Sequence, residues 1–187
     1  MATGCSIIIS MTGREIKGGS LSGSAGGPDI VYREIRRADD AKLAAIVRSN
    51  LEAHRLDLPG TVYFDPELDH LSDFYLADKE KRYYCIATEK DELIGGIGLA
   101  ELSFMEDCAE LQKLYLCDAA KGRGLGYSLI RHIEEKAKAL GYRKMYLETH
   151  TNLAAAIHIY EKCGYRRIEK PSSVVHSTMD HFYLKEL

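Results

Sequence analysis

The chain lacks several features that would assign it to broad protein classes. No apolar run reaches the roughly 18 residues that a membrane-spanning helix needs. The five cysteines include no Cys-x-x-Cys pair, and a formal net charge of −3 over 187 residues shows no basic excess of the kind that favours nucleic acid. Hydrophobic residues make up 45% of the chain, enough to bury one full core. A single globular domain is therefore expected, with neither a membrane nor nucleic acid as partner.

The cysteines and histidines also lack the spacing typical of metal or redox sites. The cysteines are odd in number and four lie in apolar segments, which favours a reducing cytoplasm. Cys117 and Cys163 are interpreted as small buried hydrophobes and not as nucleophiles, because no positioned histidine accompanies them. The histidines show no ligand-like spacing, so no metal site is predicted.

Residues 1–28 differ in composition from the rest, since glycine and serine dominate up to Pro28. This composition predicts a flexible linker or an added leader, with the folded domain in residues 29–187. The apolar Ile7–Ile9 is too short for the core of a secretory signal and follows no basic residues. A short additional strand is the alternative interpretation of that segment.

Hydrophobic periodicity from residue 30 onward predicts an α/β fold in the order β-α-α-β-β-β-α-β-α-β-β. Asp39 or Asp40 is expected to cap the first helix, and Gly141 and Gly164 to end the last two. This order predicts a mixed central sheet with helices on both faces. Strands are expected at 30–36, 83–88, 92–102, 110–117, 143–149, 165–169 and 179–184, and helices at 39–54, 66–76, 124–140 and 153–162.

A glycine-rich turn is the most informative local feature. Residues 121–126 read Lys-Gly-Arg-Gly-Leu-Gly, between an apolar strand and a helical stretch. Glycines allow the backbone to approach a ligand closely, and the first N–H groups of a helix lack intrahelical partners. The turn therefore predicts a site for a phosphate-bearing ligand.

The glycines alone leave several alternatives open, including a tight connection with no ligand. No Gly-Lys-Ser/Thr follows them, as a P-loop requires, and their spacing does not match the dinucleotide pattern G-x-G-x-x-G. A second motif narrows the choice. Residues 156–165 read Ala-Ile-x-x-Tyr-x-x-x-Gly-Tyr, about thirty residues after the glycine turn.

Together these motifs resemble the GNAT family of N-acetyltransferases over residues 30–187. The glycine turn resembles the family's Q/R-x-x-G-x-G/A acyl-CoA signature, residues 109–116 its fourth core strand, and residues 156–165 its late signature. The resemblance implies a mixed sheet with a splayed strand pair, acetyl-CoA as donor and an amine as acceptor. It also implies direct attack by the amine without a covalent enzyme intermediate.

The resemblance assigns a role to particular residues. Glu110 is expected to be the general base, with His150 or a water relay as alternatives, and Tyr160 the general acid. The structural alternatives are that Glu110 is a partner of Lys113 and that Tyr160 anchors the core. Asn152 lies eight residues before Tyr160 where the family often has seven, so helix capping by Thr151 or Asn152 competes with cofactor contact. The expected acetyl-CoA contacts are Leu114, Tyr115, Leu116, Lys121, Gly122, Arg123, Gly124, Leu125, Gly126 and Asn152.

The acceptor is predicted from charge. Residues 52–80 contain eight acidic and two basic side chains, and the resemblance implies that the first two helices and their loop cover the acceptor site. A cationic acceptor is therefore expected, such as a polyamine, an amino acid amine, a peptide N-terminus or an aminoglycoside. An ordinary solvated face is the alternative explanation of these charges.

Two further alternatives concern the protein as a whole. A non-catalytic acyl-CoA-binding or interaction module would keep the glycine turn without the acceptor chemistry. The strand at 179–184 could pair within the subunit or across a homodimer.

Overall fold

The computed structural model describes residues 29–174 and 178–187. The predicted leader, the alternative strand at residues 7–9, and His176 lie outside the described residues. Short 3-10 turns lie at Arg37–Asp39, Val62–Phe64, Pro66–His70 and Asp118–Ala120. In chain order the main elements are β1 Ile30–Glu34, α1 Asp40–Ala53, α2 Leu71–Ala77, β2 Tyr83–Glu89, β3 Glu92–Glu101, β4 Cys108–Leu116, α3 Leu125–Ala139, β5 Lys144–Thr149, α4 Ala154–Lys162, β6 Arg166–Ile168 and β7 His181–Glu186.

The strands form one sheet in the order β1-β2-β3-β4-β5-β7-β6. Neighbours are antiparallel except β4 and β5, which are parallel. The mixed sheet predicted from the sequence is thus confirmed. Strand β7 lies between β5 and β6 of the same chain, so the C-terminal strand pairs within the subunit.

Two adjacent tyrosines show that helices cover both faces of the sheet. Successive residues of a strand point to opposite faces. Tyr83 packs against α3, with its ring centroid 6.2 Å from that of His132 and 4.7 Å from Lys136 Nζ. Tyr84 packs against Tyr75 of α2 at 4.9 Å between centroids. Helices α2 and α3 therefore lie on opposite faces, as predicted.

The region of α1 and α2 departs from the prediction in two ways. Asp39 occupies the N-cap position of α1, as predicted, but its side chain makes no capping hydrogen bond. The Asp40 carboxylate instead accepts hydrogen bonds from Ser72 N and Oγ, at 2.9 and 2.6 Å, and joins α1 to α2. The single helix predicted at 66–76 is also wrong, because His70 has φ −139° and ψ 35° and separates a 3-10 turn from α2.

Strand β4 contains a bulge that the sequence did not predict. Lys113 has φ +49°, and the β3–β4 register shifts between Gly96 and Gly98. The Tyr84 hydroxyl donates a 2.7 Å hydrogen bond to the Lys113 carbonyl and holds the distortion in place. A β-bulge changes the direction in which the following residues point. It lies within the segment that resembles the cofactor-binding strand.

Candidate functional site

A cleft opens where the two parallel strands of the sheet separate. Strands β4 and β5 pair only from Cys108 with Lys144 to Glu110 with Tyr146. Beyond that point β4 continues to Leu116 paired with β3, and β5 continues to Thr149 paired with β7. The side of β4 that faces β5 therefore has no strand partner after Glu110 among the residues that the structure describes. This is the splayed strand pair that the resemblance implied.

Glu110 lies at the point where the cleft begins. Its side chain is on β4 and the residue is only 3% exposed. Gln112 Nε2 donates a 2.7 Å hydrogen bond to Glu110 Oε2. Burial raises the pKa of Glu110 to about 7; the Gln112 hydrogen bond opposes this rise, Glu148 adds to it and Lys113 opposes it. A carboxyl group with this pKa can both accept and release a proton near neutral pH.

The glycine turn has the geometry of an anion site. Gly122 and Gly124 have φ +73° and +77°, the left-handed region that glycine adopts without strain. A Cβ atom built at either residue meets no described atom within 4 Å, so the turn borders open space. Helix α3 begins directly afterwards at Leu125. Its first N–H groups and dipole therefore favour an anion at this turn.

The two basic side chains of the turn are already paired. Lys121 Nζ forms an ion pair with Asp118, and the Arg123 guanidinium forms one with Glu89. Their positive charge is largely compensated within the protein. Backbone amides from Arg123 to Gly126 therefore remain the main groups available for a phosphate at this position.

Tyr160 lies fully buried on α4, a helix that was predicted correctly from the sequence. Its ring packs edge-on against Tyr165, with centroids 5.9 Å apart. Within residues 29–174 and 178–187 its hydroxyl has no hydrogen-bond partner. Burial raises the pKa of Tyr160 well above its ordinary value, and Cys163 adds to this. The hydroxyl is therefore a neutral donor with an unused hydrogen bond.

The end of β4 offers backbone groups and not side chains. Leu114, Tyr115 and Leu116 are all fully buried, so their side chains belong to the core. Asn50 of α1 donates from Nδ2 to the carbonyl of Leu116 at 3.0 Å. A ligand that paired with this part of β4 would do so through the main chain, like an added strand.

Asn152 does not cap α4, contrary to the capping prediction. Neither Asn152 nor Thr151 caps the helix, whose N-cap position is Leu153 without a side-chain bond. Asn152 Nδ2 donates to the His54 carbonyl at 3.1 Å, and the Thr151 hydroxyl donates to Asp180. The end of α1 thus contacts both walls of the cleft, through Asn50 on the β4 side and His54 on the β5 side.

The acidic segment 52–80 is less negative than its composition suggests. Asp69 forms a paired 2.7 Å interaction with Arg48, and Asp73 pairs with Arg37 at 3.0 Å. Asp65 differs, because burial raises its pKa while Lys113 lowers it. Lys113, which forms the bulge of β4, is thus one of the charges that act on Asp65. The paired residues Asp69 and Asp73 contribute little to an attractive field.

The remaining polar groups near the cleft are arranged as follows. His150 directly follows β5, and its Nδ1 accepts a 3.1 Å hydrogen bond from the Asn152 backbone N–H. In the described ranges, no group of three or more His, Cys, Asp or Glu side chains is placed to hold a metal ion. No described helix is both long and apolar enough to cross a membrane.

Four contributors to this site were not identified from the sequence. Gln112 and Tyr75 contact the Glu110 carboxylate directly or in relay, Lys113 forms the bulge, and Asn50 holds the end of β4. Their roles depend on partners far away in sequence. The closest available signal for the bulge was the glycine-rich stretch of β3 opposite it, Gly95 to Gly98.

Helices on both faces of a mixed sheet, with one parallel strand pair that separates halfway, define the acyl-CoA N-acyltransferase fold. The family model described as the acetyltransferase (GNAT) family matches residues 45–165. The chain therefore belongs to the GNAT family and is an acetyl-CoA-dependent N-acetyltransferase.

Individual relatives agree with this assignment. The chain is 33% identical over 141 residues to the Escherichia coli protein named uncharacterized N-acetyltransferase YjgM, covering 74% of this chain and 83% of that one. It is 28% identical over 100 residues to a spermidine N(1)-acetyltransferase from Vibrio cholerae, covering 53% and 57%. The crystal structure of the PaiA N-acetyltransferase of Thermoplasma acidophilum, in complex with coenzyme A, has a TM-score of 0.65 at 19% identity. The match covers 85% of this chain and 99% of the chain in that structure.

Proposed function

We propose that the protein transfers the acetyl group of acetyl-CoA to the primary amine of a small cationic molecule or a peptide. Attack is direct, with Glu110 as general base and Tyr160 as general acid. The observation that carries the proposal is the position of Glu110, a buried carboxyl with a pKa of about 7 at the start of the cleft. An acceptor ammonium must lose a proton before it can attack, and a group with this pKa is suited to remove it.

The residues around the cleft fit acetyl-CoA. Backbone amides from Arg123 to Gly126 would hold the pyrophosphate, and the unpaired side of β4 at 114–116 would pair with the pantetheine amides. The Tyr160 hydroxyl is buried without a partner in the described part of the chain, which fits a group whose hydrogen bond forms when the ligand binds. The donor supplies the activated acetyl thioester, and Tyr160 protonates the sulfur that leaves. Asn152, whose amide already binds His54, is the least supported of the proposed contacts.

His150 is the alternative base within the same proposal. It lies at the end of β5, on the opposite wall of the cleft from Glu110. Glu110 is favoured because it is buried and its carboxylate is held by a second side chain. A water relay between Glu110 and the acceptor would use the same carboxylate.

The cationic nature of the acceptor rests on the acids of the α1–α2 region. Asp65 and Glu67 are among the acids that remain after the ion pairs of Asp69 and Asp73 are discounted. One relative is named for spermidine, a polyamine. Polyamines are therefore the first acceptors to test.

The proposal is tested with a panel of amines and two measurements. Release of free coenzyme A thiol reports turnover, and the melting temperature reports binding, since a ligand that binds only the native state raises it. Acetyl-CoA should raise the melting temperature, whereas ATP and NAD should not. Stabilisation by acetyl-CoA with no thiol release for any amine would support the non-catalytic module instead.

The glycine turn provides a specific binding prediction. Gly124→Ala should weaken acetyl-CoA binding by about tenfold, because the new Cβ projects into the space where the phosphate would lie. Gly141→Ala is the matched control, since Gly141 also has a positive φ, +91°, with open space around it, but lies at the far end of α3. Both variants should lose about 1–2 kcal/mol of stability from backbone strain. If acetyl-CoA raised the melting temperature of the two variants equally, the proposed acetyl-CoA site at the glycine turn would be contradicted.

The acceptor charge provides a second prediction. The double variant Asp65→Asn, Glu67→Gln should raise KM for spermidine roughly three- to tenfold, corresponding to about 1 kcal/mol, with little change in kcat. The control is Asp78→Asn, Glu80→Gln, which removes the same charge from the turn after α2. An identical KM in both double variants would show that the acids form only a solvated face.

We further propose that residues 29–187 form the catalytic domain and that the protein acts in the cytoplasm. The four cysteines in the described ranges are free thiols, which suits a reducing compartment. A homodimer is compatible with this architecture, although β7 already has both partners within the subunit.

A further inference from the structure

Three buried side chains form a hydrogen-bonded relay that ends on Glu110. The Tyr75 hydroxyl of α2 donates to Gln112 Oε1 at 2.9 Å, and Gln112 Nε2 donates to Glu110 Oε2 at 2.7 Å. The exposed fractions are 1% for Tyr75, 5% for Gln112 and 3% for Glu110. The relay joins a helix to the strand that carries the proposed base.

The relay fixes which way the Gln112 amide points. Tyr75 can satisfy the amide oxygen because its hydroxyl is a donor, and the amide nitrogen then faces the carboxylate. When Glu110 is ionised, a reversed amide would place its oxygen against the carboxylate and leave two acceptors in contact. At this level of burial an unmatched pair of this kind is costly.

The space for Tyr75 depends on Gly98 in β3. A Cβ atom at Gly98 would lie 2.5 Å from Tyr75 Oη and 2.7 Å from Tyr84 Cδ2. Any side chain at this position would therefore displace the hydroxyl that begins the relay. Tyr84 in turn holds the bulge at Lys113, so the relay and the bulge share one packed group of residues.

We propose that Gln112 and Tyr75 are positioning residues for Glu110: they orient its carboxylate and favour its charged form, so that Oε1 serves the acceptor amine. This inference rests on the proposed function, in which Glu110 is the base. Among the described residues, Gln112 is the hydrogen-bond donor that contacts the Glu110 carboxylate, and it does so at Oε2 alone. The second oxygen is thereby left for the substrate.

Other charged and titratable groups also act on the ionisation of Glu110, in addition to the hydrogen bond from Gln112. The Glu148 carboxylate opposes ionisation of Glu110, and Lys113 favours it. The hydrogen bond from Gln112 therefore offsets a like charge on the opposite wall of the cleft. The groups that interact with Glu110 are Tyr146 and Glu148 on β5, Cys108 and Lys113 on β4, and Tyr75 on α2.

The test is a titration of the Glu110 carboxyl by NMR, in the full chain labelled with 13C at the glutamate side-chain carboxyls. The Glu110→Gln variant assigns the resonance. Gln112→Met, which keeps the length of the side chain without a donor, should raise the titration midpoint by about one to two pH units from its value near 7. Tyr75→Phe should raise it by less, because the amide is then free to turn.

Tyr142→Phe is the control, because the Tyr142 hydroxyl donates to the Lys81 carbonyl outside the relay. The titration midpoint of Glu110 should not move in this variant. Unchanged midpoints in both relay variants would overturn the proposal, and melting temperatures establish that each variant is folded. The titration needs no substrate. A shifted midpoint in a protein without acetyl transfer would uphold the relay and refute the role of Glu110. An unshifted midpoint in an active enzyme would refute the relay and leave the proposed activity standing.

Discussion

Replacing Tyr160 with phenylalanine should lower the turnover number by about 10²- to 10⁴-fold while slightly raising the melting temperature of the ligand-free protein. The two effects share one cause. The hydroxyl is fully buried without a partner in the described structure, and an unsatisfied buried polar group costs about 1–3 kcal/mol. Removing it relieves the folded state and deprives the departing thiolate of its proton donor.

Tyr183→Phe is the control for this change. Its hydroxyl donates to Glu161 at 3.1 Å, and its ring packs near that of Tyr160. This variant should melt at a lower temperature and keep its turnover. Thermal melts and thiol release measure both quantities, and acetyl-CoA should still stabilise Tyr160→Phe. Full turnover in Tyr160→Phe would leave the residue with a packing role alone.

Replacing Glu110 with glutamine should remove the ascending limb of the kcat/KM profile, which we expect to be centred near pH 7 in the parent protein. A general base is active only when deprotonated, so the rate of the parent rises as pH passes this value. Above pH 8 the variant should be about 10²- to 10⁴-fold slower. His150→Ala is the discriminating control: if the limb persists in Glu110→Gln and disappears in His150→Ala, the base is His150.

The same substitution should also change how stability depends on pH. The folded-state pKa of Glu110 lies above its ordinary value of 4.5, so the folded protein holds a proton that the unfolded chain has lost. The free energy of unfolding of the parent therefore falls as pH rises from 4.5 through about 7, and the whole decrease is present above that range. Glu110→Gln should be more stable than the parent at pH 8 and similar at pH 4. Denaturant unfolding at the two pH values measures this difference.

The sheet and most helix ends could be predicted because they depend on local patterns. Gly141 and Gly164, with φ +91° and +89°, lie just beyond α3 and α4, as their sequence positions indicated. The glycine turn and Tyr160 were likewise recognisable, because each belongs to a short motif with fixed spacing. Their proposed chemical roles remain predictions.

The rest of the site depends on contacts between distant segments, which periodicity does not encode. Lys113 adopts a positive φ although lysine has no preference for it, because the Tyr84 hydroxyl holds its carbonyl from two strands away. Asn152 has a good helix-capping side chain, but its Nδ2 donates to the His54 carbonyl and the N-cap position of α4 is Leu153. In both cases a nonlocal hydrogen bond outweighs the local preference.

The last turn of α1 has a mechanical consequence for the cleft. Asn50 holds the final residue of β4, and the carbonyl of His54 holds the segment that follows β5. This turn therefore connects the two walls of the cleft. Moving the two walls apart at this point would require breaking one of these hydrogen bonds. The opening of the cleft is thus coupled to the local stability of the end of α1.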